Sequence, residues 1–187
     1  MESASVGTSS GDGQKPYAII FPLDANNGLQ TARVLASRGV PVIGIATDPK
    51  DYRCRTKVCD RILFADREDD AILRALEALG PQLHQKAVLF PCDDFEVSLV
   101  SCHRQQLEKW YHVVLPPPHI HELLSDKLSL YRYAQEHGFP VPRMALLENR
   151  ADAQLAAGEL AFPCVLKPPV RSLLWDSLSP YKVYLVA

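Results

Sequence analysis

Phe162-Pro163-Cys164-Val165-Leu166-Lys167-Pro168-Pro169 is a short apolar run that ends in a lysine and is closed by two prolines. Cys164, Val165 and Leu166 suit a buried strand, whereas Pro168 and Pro169 have no N–H to give to a ladder, so the strand should stop beside Lys167. Side chains alternate along an extended strand, which puts Lys167 on the same face as Val165. A charge there costs free energy unless its ammonium reaches water or an anion. One reading is therefore a lysine that snorkels from an edge strand. The other is a lysine that meets an anionic ligand at a strand end.

A second cation lies upstream. Ser125 is a candidate N-cap for a helix running to His137 and stopped by Gly138, with Lys127 in its first turn. A cation there opposes the macrodipole, at a cost of about 0.3–1 kcal/mol on an exposed site, unless an anion comes to it. Asp126 can offset the charge locally, so an exposed, locally balanced lysine stays open as an alternative. Two lysines on neighbouring elements of one small domain would suit a polyphosphate, whose charge calls for several point cations.

The preceding residues have a different rhythm. Tyr17-Ala18-Ile19-Ile20-Phe21 reads as a first strand, residues 29–38 as a helix with Leu29, Ala32, Leu35 and Ala36 at helical spacing, and residues 40–45 as a second strand. A third strand at 61–64 leads to a helix at 69–79, where Ile72, Leu73, Leu76 and Leu79 form one stripe. A fourth strand at 86–91 leads to a long helix at 95–109 with Phe95, Leu99 and Cys102 inward, and residues 111–115 give a fifth strand. Strands alternating with helices predict a doubly wound parallel sheet, whose carboxyl-edge loops are where ligands bind. Pro116-Pro117-Pro118 breaks the alternation as a stiff spacer and marks a domain boundary. Beyond it the sequence predicts one turn at 119–124, the Lys127 helix, a strand at 144–147, and a helix from Asn149 to about residue 160. The Lys167 strand, a loop at 170–180 and a last strand at 182–186 complete the series. Residues 1–14, rich in Ser and Gly, read as a disordered tail without the apolar core of a signal peptide.

Composition narrows the function. In a chain of 187 residues, 20 Lys and Arg against 22 Asp and Glu give a net charge of −2, which leaves no basic footprint for nucleic acid or an anionic membrane. Arg53, Arg55 and Lys57 read as a solvated loop face. No apolar run approaches the length of a membrane span. The 5 cysteines have neither a disulfide framework nor paired zinc-ligand spacing, and look like free thiols of a reducing cytoplasm.

Asp24-Ala25-Asn26-Asn27-Gly28 sits where a dinucleotide-binding turn would, but that fingerprint needs three glycines and only Gly28 is present. Asp48 is either a ribose ligand or a turn former before Pro49. No Gly-x-Ser-x-Gly elbow or activated cysteine marks a hydrolase. Of Asp93 and Asp94, one is expected to cap the helix that follows; Asp93 is the better candidate for lining a polar site.

Taken together, Leu115-Pro116-Pro117-Pro118, Ser125-Asp126-Lys127-Leu128-Ser129-Leu130-Tyr131, Gly138-Phe139-Pro140-Val141-Pro142 and Phe162-Pro163-Cys164-Val165-Leu166-Lys167-Pro168 closely resemble the ATP-grasp superfamily. The nearest relatives by resemblance are carboxylate–amine ligases similar to the carbamoyl-phosphate synthase large subunit. Residues 24–33 and Pro91-Cys92-Asp93-Asp94 resemble the Rossmann-like domain that precedes the grasp in that family. The resemblance implies an α/β chain: a Rossmann-like parallel-sheet pre-ATP-grasp domain at 15–118, followed at 119–187 by an incomplete α+β first lobe of an ATP-grasp domain. It implies that Lys127 and Lys167 contact the phosphates of ATP and that Lys182, at the start of the last strand, lines the same pocket. It also implies that the loops around Asn26, Asn27 and Asp93 are offered either to a small-molecule carboxylate substrate or to a domain interface, and that ATP activates that carboxylate as an acyl phosphate for attack by an amine or similar nucleophile.

Two departures from the family pattern stand out. The loop between Lys167 and Lys182, where many relatives place a glycine-rich flap, has no glycine and instead carries Arg171, Leu173, Leu174 and Trp175. The magnesium-binding residues and the adenine-reading hinge are expected beyond Ala187, so the expectation is the amino-terminal part of a ligase, silent alone. An incomplete lobe should also expose apolar surface open to homodimerisation or aggregation. The alternative is a non-catalytic, truncated ATP-grasp relative that acts as a binding or regulatory module. On the leading reading the purified chain releases no phosphate from ATP, and measurable ligation of a carboxylate to an amine by this chain alone would refute it.

Overall fold

The computed structural model describes residues 15–168, 173–181 and 183–187. The expected tail at 1–14, together with Pro169, Arg171 and Lys182, lies outside the described residues. The chain divides between Pro117 and Pro118 into two compact units.

In the first unit, β1 (Ala18–Phe21), β2 (Val42–Ala46), β3 (Arg61–Phe64), β4 (Ala87–Pro91) and β5 (Tyr111–His112) form one sheet in the order β3-β2-β1-β4-β5. Every pairing is parallel, with Ile19 opposite both Ile43 and Leu89. All residues of β1 and β2 are buried, as expected for strands covered on both faces. Alternation divides them between two layers. Ile19, Phe21, Ile43 and Ile45 pack with Ile72, Leu76 and Leu79 of α2 (Asp69–Leu79) and Leu99 of α3 (Asp94–Cys102). Ala18, Ile20, Val42 and Ala46 pack instead with Leu23 and with Ala32 of α1 (Asn26–Ala36). Strands β2 and β3 lie on one side of β1, and β4 and β5 on the other. The order therefore reverses between β1 and β4, where ligands of such sheets bind at the carboxyl edge.

The long helix expected at 95–109 is two helices, α3 and α4 (Arg104–Leu107), separated at His103 with φ −102 and ψ 19. Cys102, expected inward, is exposed at that break, whereas Leu107 is fully buried. The strand expected at 111–115 shortens to β5 for a related reason. Arg104 donates to the carbonyls of Val113, Leu115 and Pro116 at 2.8–3.0 Å, so these acceptors serve a guanidinium and not a strand ladder.

In the second unit, Pro118 starts α5 (Pro118–Ser125) and does not extend a spacer; proline is accommodated at a first helical position, where no N–H is needed. Ser125 falls inside α5, and the cap of α6 (Lys127–Glu136) is Asp126, whose carboxylate accepts from Leu128 N and Ser129 N at 3.3 and 3.0 Å. Gly138, at φ +69, follows the helix end. Asn149 and Asp152 form a reciprocal capping box on α7 (Arg150–Glu159). The strand expected at 144–147 is irregular chain. The segment β6 (Cys164–Leu166) pairs antiparallel with β7 (Tyr184–Val186), Val165 opposite Leu185, and the expected loop before β7 contains α8 (Leu173–Leu178).

Gly28 belongs to the first turn of α1, and a Cβ there would lie 1.9 Å from the Pro22 carbonyl oxygen. Gly28→Ala is expected to destabilise the first unit by about 3 kcal/mol, the range of severe overpacking against backbone. The check is a lowered denaturant midpoint at unchanged slope.

Candidate functional site

The carboxyl edge of the first unit is tied together by its own polar side chains. Asp24, after β1, accepts from Thr47 N and Asp48 N at 2.8 and 3.0 Å, which locks the loops following β1 and β2. Asp48 carries this contact through its backbone. Asn26 opens α1 and its Oδ1 accepts from Arg53 Nη1 at 3.3 Å. Arg53 in turn forks onto Asp51 at 2.9 and 2.6 Å, and these hydrogen bonds hold the Asp51 carboxyl down to about 2. Asn27 Nδ2 lies 3.5 Å from the Cys92 carbonyl, a long contact that spans the reversal point between β1 and β4.

Asp93 is the N-cap of α3, with Oδ1 accepting from Asp94 N at 3.0 Å, and it also does what a simple cap would not. Its Oδ2 accepts from Arg67 Nη2 at 2.7 Å, and Arg67 Nε donates to Glu96 Oε1 at 3.2 Å. The Arg67 guanidinium also lies 5.3 Å from the centre of the Phe95 ring. The Glu96 side chain is completely buried, whereas those of Arg67 and Asp93 are nearly half exposed. Burial pushes the Glu96 carboxyl up from its usual range, with Arg67 opposing that rise. Asn26, Asn27 and Asp93 thus converge on one edge.

In the second unit, Lys127 is the first residue of α6 and Lys167 follows the last residue of β6; both are exposed. The Lys167 ammonium lies 5.8 Å from the centre of the Tyr131 ring. Tyr131 is one helical turn beyond Lys127, and residues at that spacing share a helix flank. Lys167 thus approaches α6 at a residue one turn from its first, Lys127. Lys182 lies outside the described residues.

Among the described residues no group of three His, Cys, Asp or Glu is placed to hold a metal ion. Burial raises the pKa of the Cys54 and Cys92 thiols and pushes that of Cys59 to about 11, which suppresses their thiolates.

No family model matches the chain. Over 46 residues, 25% of its length, it is 44% identical to a D-alanine--D-alanine ligase of Ectopseudomonas mendocina (strain ymp), in a stretch covering 15% of that protein. Among solved structures it resembles biotin carboxylase of Campylobacter jejuni with a TM-score of 0.63 at 19% identity, covering 92% of this chain and 38% of that one. It also resembles the L-amino acid ligase of Bacillus licheniformis, TM-score 0.55 at 14% identity, covering 83% and 37%. A third is the biotin carboxylase domain of Hydrogenobacter thermophilus 2-oxoglutarate carboxylase, solved with MgADP, ADP and bicarbonate. There the TM-score is 0.57 at 18% identity, covering 84% and 35%. These likenesses show the fold: the chain shares an α/β architecture with part of each of these structures. The chain spans little more than a third of the length of these three structures.

Sequence reasoning missed Arg67 and Glu96. They are far apart in the chain, and each alone reads as an ordinary surface charge; nothing local signals that the Glu96 side chain is sealed in or that Arg67 reaches it. Arg53 was visible only as part of a loop cluster. Because the folded-state pKa of Glu96 is raised, its stabilising contribution is fully present below the unfolded carboxylate value of about 4.3 and is lost as pH rises through the folded value. Glu96→Gln has no such titration. Its stability relative to the parent chain should therefore improve steadily as pH rises from about 4, and a difference in unfolding free energy that is flat with pH would contradict the assignment.

Proposed function

We propose that this chain is the amino-terminal part of an ATP-dependent ligase that activates a small carboxylate as an acyl phosphate for attack by an amine or similar nucleophile. The observation that carries the reading is the approach of the Lys167 ammonium to Tyr131, 5.8 Å from its ring centre and one turn from Lys127. A cation at the first position of α6 and another against its Tyr131 suit a polyphosphate. The ATP-grasp fold and the ligase names among its relatives support the same reaction class.

In this proposal Lys127 and Lys167 neutralise phosphate charge and hold the transferring group in line, with Lys182 in the same role, which is a matter of positioning and electrostatics. ATP supplies the γ-phosphoryl that converts the carboxylate into a mixed anhydride, from which the amine displaces phosphate. Asn26 and Asn27 offer amide donors to the carboxylate, and at the same sheet edge Asp93 with buried Glu96 fixes the Arg67 guanidinium. Magnesium would balance the phosphates; none of the described residues is assigned to it. All five cysteines are free, which suits a reducing cytoplasm, and no described helix is long and apolar enough to cross a membrane. Exposed Val165, Leu178 and Leu185 in the second unit suit self-association.

Calorimetric titration of the chain with MgATP tests the reading. Binding is expected, and Lys167→Ala should weaken it about tenfold or more, the worth of a charge-assisted contact. Absence of binding, or binding that Lys167→Ala leaves intact, would overturn it.

A further inference from the structure

We infer that Tyr131 is a positioning residue for Lys167: the face of its ring fixes where the ammonium rests before any anion arrives. The inference rests on the nucleotide reading above and adds a residue to it. Lys167 leaves β6 with its side chain exposed, and Pro168, which follows it, carries no polar side-chain group for the ammonium. A four-carbon stem in water would sample many rotamers, and ordering it on a ligand costs about the rotamer entropy of a free lysine. The Tyr131 ring removes part of that freedom. Its centre lies 5.8 Å from Lys167 Nζ, within reach of the attraction between a cation and an aromatic quadrupole. Tyr131 is itself held by α6 and is only half exposed, so its place is set by the same helix whose first residue is Lys127. Spacing of one turn then converts a floppy lysine on a strand end into a cation kept against α6 at a residue one turn from Lys127. The contact uses the ring and not the phenol, whose hydroxyl is given no role.

Two measurements separate this role from a merely structural one. Reductive ¹³C-methylation keeps the charge on lysine, and the methyl resonance of Lys167, assigned by its loss in Lys167→Arg, should show an upfield ring-current shift. Tyr131→Phe should retain the shift and Tyr131→Leu should abolish it. A Lys167 resonance without that shift in the parent chain, or one unchanged in Tyr131→Leu, overturns the inference. In the second measurement MgATP is titrated into the unmethylated chains. Tyr131→Leu should weaken binding about two- to fivefold, the worth of one exposed cation–π contact. Tyr131→Phe should bind like the parent, and Tyr131→Leu should add nothing in a Lys167→Ala background. Equal weakening in both backgrounds assigns Tyr131 to packing and overturns the role. Parent binding that Tyr131→Leu leaves unchanged removes the positioning role alone. No parent binding removes the nucleotide reading, and the role with it.

Discussion

Burial of β1 on both faces is the constraint on which the first unit depends. A strand whose alternate residues, Ala18 and Ile20 against Ile19 and Phe21, are all removed from water must have helices on each side. Right-handed crossovers then place β2 and β3 to one side and β4 and β5 to the other. The reversal of order at β1 and β4 follows, and with it the opening at the carboxyl edge. Gly28 belongs to the same constraint: α1 can begin close against the sheet only because no Cβ intrudes on the Pro22 carbonyl.

The polar chemistry of that edge is an exercise in compensation. Arg53 is answered by Asp51, and Arg67 by Asp93 and Glu96, so each cation is held in a fixed orientation by an acidic partner. Exposed pairs of this kind add little stability. Glu96 differs because it is sealed from solvent, and removing its cation would leave a buried carboxylate unsatisfied. What the network secures is geometry: Asp93 acts at once as helix cap and as anchor for Arg67, which couples the start of α3 to the loop after β3.

The second unit is organised differently. Its sheet has two strands, and Val165, Leu166 and Leu185 remain exposed on it, so packing contributes less and local devices contribute more. The Asp126 cap, the Asn149 and Asp152 capping box and the Gly138 turn each define a helix end by short-range hydrogen bonds or backbone conformation. The Lys167–Tyr131 contact is of a different kind, joining β6 to α6 across a long stretch of chain.

These differences explain what could be read directly. The continuous apolar run Ala18-Ile19-Ile20-Phe21 and the stripe of Ile72, Leu76 and Leu79 revealed the parallel sheet and its helices, because apolar patterning is a local record of which faces are buried. Turn residues located most of the element ends. Expectations failed where a distant group competed for the backbone or where a local rule had two solutions: Arg104 taking the carbonyls after β5, Pro118 starting a helix, Asp126 capping in place of Ser125. The positions of Asn26 and Asn27 in the first turn of α1 and of Asp93 at the cap of α3, all at one sheet edge, followed from sequence order and crossover handedness. Which cation stands beside Asp93, how deeply Glu96 is buried and which ring receives Lys167 were decided only by tertiary structure, since each depends on the approach of residues that share no local pattern.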